Sequence, residues 1–272
     1  MPILNKDMSL CISLAARPSN IGTRFHNYLY DLLGLNFVYK AFAPADLAAA
    51  VQGIRGLPIR GAAVSMPYKE DVIALVDVMD PSASAIESVN TIVNNNGVLT
   101  AYNTDYIAIA RLLKDHAVPT DYTVLVQGAG GMAKAVVAAL RDAGFTKVTV
   151  VARNQAKGTA LAELYGFQWR QAVGDAQAQL IINVTPLGMN GDDAAVQSFP
   201  DETISAASVV FDVVALPSET PLIKAARAAG KAVITGAEVI AIQAEEQFVL
   251  YTGVRPTPEQ VIEASEFSRQ PV

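Results

Sequence analysis

The chain has 272 residues, 51% of them hydrophobic, and a net charge of -6 from 20 Lys plus Arg against 26 Asp plus Glu. That size and apolar content suit one large core or two modest ones, and the acidic balance without any basic run excludes a surface that tracks nucleic acid. One cysteine, Cys11, excludes an internal disulfide and a cysteine-based metal cluster, and no stretch reaches the roughly 20 apolar residues of a membrane-spanning helix.

In chain order, LCISL (10–14) reads as a strand. The longer run LCISLAA has the length of a signal h-region, but Lys6 and Asp7 cancel before it and Arg17 follows. The expected location is therefore the cytoplasm. TRFHNYLYDLL (23–33) is helix-like and carries His26, while His116 lies in a polar loop; both histidines read as structural or solvated. GAAVSM (61–66) is a second strand, followed at once by Pro67, Tyr68, Lys69, Glu70 and Asp71. A lysine there is either a surface residue or one tuned by desolvation. AYNTDYIAI (101–109) opens a helix-like segment at Asp105, with Asn103 and Thr104 as caps. On the residues alone capping explains Asp105 better, although an acid at that place would also hold an ammonium.

From residue 122 the pattern becomes regular. YTVLVQ runs into Gly128-Ala129-Gly130-Gly131 and the Ala-rich helix that begins at Met132, then comes strand KVTVVA (147–152). Glycines at such a turn let the backbone approach a pyrophosphate, whose charge the helix N-terminus stabilises. Tight packing is the competing explanation, and the order strand, glycines, helix, strand favours the dinucleotide. After the second strand an NAD site usually carries an acid for the ribose hydroxyls; here Arg153 stands instead, with Lys157 one turn on. A guanidinium pairs with a 2′-phosphate that a carboxylate would repel, so NADP is expected over NAD. Strands LIINVT, VVFDVV and KAVITG follow, separated by helical patterns and one irregular loop (190–203). In 238–253 the apolar Val239, Ile240, Ile242, Phe248 and Leu250 fit a helical face only loosely. The fold class is α/β.

A nicotinamide enzyme acting on an alcohol and a carbonyl needs a side chain to move the hydroxyl proton, and Lys69 is the attractive candidate. At this point the segments resemble the shikimate dehydrogenase family. GAAVSMPYKEDV is similar to its NVT-x-P-x-K segment, SVNTIV and AYNTD to its A-x-NT and G-x-NTD segments, and GAGGMAKA to its cofactor loop. INVTPLGM, DVVALPSETPL and GAEVIAIQAEEQFVLYTG continue the match in order across nearly the whole chain. The resemblance implies an N-terminal α/β substrate domain (1–104), to which the C-terminal helical segment (240–272) returns, and a Rossmann-type NADP-binding domain (105–239). It implies Lys69 and Asp105 as the acid-base pair, Ser65, Asn90 and Gln243 as substrate-binding residues, and Thr185, Val213 and Gly236 beside the cofactor. Lys69 would lie at a strand end, with Glu70 and Asp71 as outward helix-start acids. The reaction implied is shikimate to its 3-dehydro ketone, in the chorismate route of aromatic amino acid biosynthesis, by a monomer or homodimer with a small anionic ring acid as partner.

The match departs at the motif S-x-SP-x-x-HN, which in the family grips the substrate carboxylate. Counting back from His26-Asn27, Asn20 and Gly22 replace the two serines and Thr23 the proline. One donor must then come from Asn20, Thr23, Ser13 or water. Ala152 replaces the Asn of the family's NR pair, and Ala215 a common Tyr. This looks like a divergent branch, whose substrate is shikimate or another ring acid such as quinate. Two rivals are a non-catalytic NADP-binding sensor, which would not need the retained Lys69 and Asp105, and a reductase working through a cysteine thioester. Cys11 inside a strand favours a core role over that second chemistry.

Overall fold

The computed structural model describes residues 4–270. The chain divides into two compact units, Met1–Thr104 with Ala241–Val272, and Asp105–Ile240.

The first unit runs β1 (Ser9–Leu14), α1 (Asn20–Leu32), β2 (Phe37–Phe42), α2 (Leu47–Gly56), β3 (Gly61–Val64), a 3₁₀ turn (Asp71–Leu75), β4 (Val78–Met79), α3 (Pro81–Ser84), β5 (Thr91–Asn95) and β6 (Val98–Tyr102). Its sheet has the order β2-β1-β3-β5-β6-β4. β1 pairs in parallel with β2 and β3, but β5 is antiparallel to both β3 and β6. The repeating parallel pattern is broken by a hairpin at Asn96-Gly97, where φ is 54° and 90°. Two successive positive φ values are what a tight hairpin turn needs, and Asn-Gly supplies them at least cost.

Side chains alternate across β1, so the sheet has a core on each face. Ile12 and Leu14 pack with Val51, Ile54 and Ile59 on one side. Cys11 joins Phe25, Leu29, Tyr30, Tyr39, Phe248 and Tyr251 on the other. Helix α1 presents Phe25, His26, Leu29 and Tyr30 to that second core, one face of a 3.6-residue period. Gly61 in β3 lies directly under the ring of Tyr251, where any side chain would collide with it.

Helix α4 (Thr104–Asp115) leads into the second unit: β7 (Val124–Gln127), α5 (Gly131–Asp142), β8 (Val148–Val151), α6 (Gln155–Leu164), β9 (Gln168–Arg170), β10 (Leu180–Asn183), α7 (Asp201–Ala206), β11 (Val209–Asp212), α8 (Pro221–Ala228) and β12 (Ala232–Thr235). All six strands are parallel, in the order β12-β11-β10-β7-β8-β9. This is the doubly wound order, with its reversal between β7 and β10. Helix α9 (Gly236–Thr252) then carries the chain back, and α10 (Pro258–Arg269) ends it. Helix α10 packs on α1, where the Arg24 guanidinium donates to the Phe267 carbonyl and Tyr28 meets the Phe267 ring. The loose helical pattern read at 238–253 has a physical reason. Glu245 and Gln247 of α9 are themselves buried, so polar residues occupy positions that a simple amphipathic face reserves for apolar ones.

Candidate active site

In the first unit, polar side chains converge on Asn90, which is only 3% exposed. Its Oδ1 accepts from the Thr91 hydroxyl at 2.9 Å, the Thr104 backbone N–H at 2.8 Å and the Thr104 hydroxyl at 3.2 Å. Three donors fix which way the amide faces, with Nδ2 turned away from them as a donor for something else. Gln243 Nε2 donates to Thr104 Oγ1 at 3.1 Å. One helical turn further on, Gln247 donates to the Asn90 carbonyl and, at 2.9 Å, to Thr91 Oγ1. The family resemblance pointed to Asn90 and Gln243; of the residues that complete the network, Thr91 stood only inside the SVNTIV match, Thr104 was read as a cap and Gln247 was not remarked.

Lys69 does not lie at the strand end. β3 stops at Val64, Ser65 is exposed, and Lys69 is half-buried in the turn before the 3₁₀ segment. The strand is shorter than its apolar run because the chain turns at once into residues 66–70. Val89 N–H donates to the Lys69 carbonyl at 2.8 Å, so the backbone at 69 is pinned to the residue before Asn90. Glu70 and Asp71 are exposed. Asp105 is half-buried in the first turn of α4, directly after Thr104, and Asn103 Nδ2 donates to the Ser88 carbonyl at 2.9 Å.

At the start of α1, Asn20 is exposed and a Cβ on Gly22 would stand 3.7 Å from the Tyr39 hydroxyl. Thr23 Oγ1 is buried with no hydrogen-bond partner among the described residues. His26 is 1% exposed and stacked on Tyr39, with ring centroids 4.5 Å apart. Burial lowers its pKa from the usual 6.5 to about 3, against a smaller opposing effect of a hydrogen bond with Gln247. The imidazole is neutral and structural, which leads to a pH prediction. Between about pH 6.5 and 3 the unfolded chain binds a proton that the native one refuses, so stability is lost as pH falls through that window, by about 1.4 kcal/mol per pH unit. Urea melts at pH 7 and pH 5 should show a steeper loss for the wild type than for His26→Phe; parallel losses would show that the histidine does not titrate this way. Cys11 is wholly buried and its thiol is pushed up to about 12, chiefly by burial, which disfavours a thiolate nucleophile.

In the second unit, Gly128 has φ 129°, and a Cβ there would fall 2.7 Å from Val184 Cγ2, so only glycine lets the β7 turn pack on the end of β10. Gly130 and Gly131 differ. Apart from chain neighbours and the backbone of α5 itself, nothing among the described residues comes within 4 Å of a Cβ at either. Gly130 caps α5 without any side-chain hydrogen bond, and the first turn of α5 holds no acid. Ala129 and Met132 flank them, half-buried. Uncapped amides beside unfilled space at the topological switch point suit a dinucleotide pyrophosphate. After β8, Arg153 and Lys157 are both exposed around the start of α6, where Asn154 accepts from the Lys157 N–H at 3.0 Å. These residues fit NADP.

Next to the switch point, Thr185 donates through its hydroxyl at 2.6 Å and its N–H at 3.1 Å to Asn183 Oδ1. Asn183 in turn donates to Asp212 Oδ1 at 3.0 Å, and Asp212 also accepts from the Val214 N–H and, at 2.7 Å, from the Thr220 hydroxyl. Burial pushes the Asp212 carboxyl up, and those three donors oppose the push. This buried knot ties the ends of β10 and β11 to α8 and orients Thr185. Sequence reading missed it, although an aspartate inside the apolar run VVFDVV was the available signal. Val213 N–H donates to the Asn183 carbonyl, and Gly236 lies so close to the Val213 and Val214 carbonyls that a side chain there would collide with them. His116 Nε2 is 3.1 Å from Glu238 Oε1 on a half-exposed surface. Among the described residues no group of three or more His, Cys, Asp or Glu could hold a metal ion, and no helix is long and apolar enough to cross a membrane.

A doubly wound parallel sheet with a glycine turn at its switch point, joined to a second α/β unit with a buried amide and hydroxyl network, defines the class of two-unit, dinucleotide-dependent dehydrogenases. The chain belongs to the shikimate dehydrogenase family. The family model described as the shikimate dehydrogenase substrate binding domain matches residues 20–92, and that described as shikimate / quinate 5-dehydrogenase matches residues 108–180. A shikimate dehydrogenase-like protein of Haemophilus influenzae is 54% identical over 98% of this chain and 99% of its own length. Shikimate 5-dehydrogenase of Thermus thermophilus, solved in complex with NADP(H) and shikimate, is 31% identical, covers 96% of this chain and 100% of its own, and superposes with a TM-score of 0.85. Quinate dehydrogenase of Corynebacterium glutamicum, solved with NAD, is 27% identical over 96% of this chain and 98% of its own, with a TM-score of 0.86.

Proposed function

We propose that this protein is an NADP-dependent oxidoreductase that interconverts shikimate, or a close hydroxylated ring acid, and its 3-dehydro ketone. The observation that carries the reading is the locked Asn90 amide, which turns a pair of N–H donors outward from an otherwise saturated network. Such a donor suits a ring hydroxyl, and Gln243, held by Thr104, supplies a second amide. Bound NADP supplies or accepts the hydride. The chain's own residues do the rest: Lys69 Nζ takes the proton from the reacting hydroxyl, or returns it to the carbonyl oxygen, and Asp105 favours its charged form. Ser65 and Thr23 are proposed as further substrate contacts, with Asn20 at the carboxylate end. Gly128 to Met132 hold the pyrophosphate, Arg153 and Lys157 the 2′-phosphate, and Thr185, Val213 and Gly236 the nicotinamide side.

The reading is tested by following NADPH absorbance with purified protein against a panel of hydroxylated and oxo cyclohexene carboxylates and their saturated relatives, including quinate. Turnover of shikimate with NADP supports it. Turnover of quinate alone would move the substrate to that ring acid, and no turnover of any member would refute it. For the cofactor, Arg153→Asp should weaken NADP by roughly 10-fold or more, since a charge-assisted hydrogen bond contributes about 1.5–3 kcal/mol. Affinity for NAD should change little. Calorimetric titration with both cofactors checks this, and equal losses would place the 2′-phosphate elsewhere.

A further inference from the structure

We propose that Trp169 is a positioning residue for cofactor choice, acting through the backbone that presents Arg153. This rests on the NADP reading above. Trp169 is the only tryptophan in the chain and lies in the edge strand β9. Its indole N–H donates to the Ala152 carbonyl at 3.2 Å. The Ala152 N–H donates to the Arg170 carbonyl of the same strand at 3.1 Å. Both backbone polar groups of residue 152 are thus tied to β9, one by a main-chain bond and one by the indole. The next residue is Arg153, and beyond it Asn154 caps α6.

Two small residues make room for the ring. A side chain at Gly158, in the first turns of α6, would run into the indole and would stand 2.9 Å from the Ala152 Cβ. This gives a reason for alanine at 152 in place of the family's asparagine: an indole fills the slot and bonds the carbonyl there. An exposed arginine loses much rotamer entropy on binding a phosphate, so a fixed Cα at its root matters more for the 2′-phosphate than for the part of the dinucleotide that NAD shares.

The test is calorimetric titration of NADP and NAD into four proteins: wild type, Trp169→Phe, Arg153→Ala and the double variant. Phenylalanine keeps an aromatic ring on β9 and removes the N–H together with part of the indole's packing. In Trp169→Phe the NADP affinity should fall by about 3- to 10-fold, the range of one neutral hydrogen bond, with NAD affinity nearly constant. In the Arg153→Ala background the same change should have almost no effect on NADP, because the residue through which it acts is gone. Gly158→Ala, which crowds the indole, should lower the NADP preference in the same way and serves if Trp169→Phe fails to fold. A Trp169→Phe loss equal for both cofactors, or unchanged in the Arg153→Ala background, overturns the proposal while leaving the NADP reading intact. A wild type that binds NADP and NAD equally overturns both.

Discussion

Replacing Lys69 with alanine is expected to lower kcat by roughly 10²- to 10⁴-fold, the usual contribution of a positioned acid or base, and to change KM far less. The split follows from the role: a group that moves a proton acts mainly in the transition state, whereas one that holds the substrate would show in KM. The main chain at this position does not depend on the side chain. The backbone at 69 is held by the Val89 N–H on its carbonyl, and truncating the side chain leaves that bond in place. Lys69→Arg separates proton transfer from charge, because a guanidinium stays protonated at any working pH and should be nearly as inactive as alanine. Asp105→Asn should also be severe, with NADP affinity almost unchanged. Near-normal turnover in Lys69→Ala would make the lysine a surface residue and the mechanism wrong.

The double change Asn20→Ser with Gly22→Ser is expected to lower the KM for shikimate by roughly 10- to 150-fold with little change in kcat, since each charge-assisted hydrogen bond to a carboxylate contributes about 1.5–3 kcal/mol. Gly22 has no side chain to donate, and Asn20 offers an amide where the family has a hydroxyl. Serine fits at 22, because its Cβ would meet the Tyr39 hydroxyl at 3.7 Å, an ordinary contact distance. The unpartnered Thr23 Oγ1 lies in the same first turns of α1, a hydroxyl whose bonding capacity nothing among the described residues uses. Steady-state kinetics of both proteins decide the matter. A wild-type KM already in the low micromolar range would mean that the altered loop grips the anion well as it stands. Loss of turnover on another ring acid without improvement on shikimate would mean that the loop is built for that other substrate.

The second unit was the more legible of the two. VLVQ, VTVV, LIIN, VVFD and AVIT are short β-branched runs bounded by glycines and polar residues, and each became a parallel strand, mostly buried except for AVIT at the sheet edge. Its edge strand QWR is three residues long with no alternation to reveal it. In the first unit TIVNN and VLTAY form a hairpin that the Asn-Gly between them signals, but the parallel pattern elsewhere in the chain masked it. The run before Lys69 was enough to make it a candidate, and the family resemblance pointed to Asn90 and Gln243. They could not show Gln247 or Asp212, because a buried polar residue is recognised only by the partners that long-range folding brings to it: Gln247 reaches Asn90 across 157 residues and Asp212 reaches Asn183 across 29.

The burial of Cys11 also makes the protein its own stopwatch. With one thiol in the whole sequence, placed on a strand hydrogen-bonded on both sides and covered by α1 and α9, an alkylating reagent added in excess has nothing to label until that strand opens. At reagent concentrations where alkylation outruns reclosing, the labelling rate therefore reports how often the sheet of the first unit comes apart, without a mutation, a tag or a denaturant.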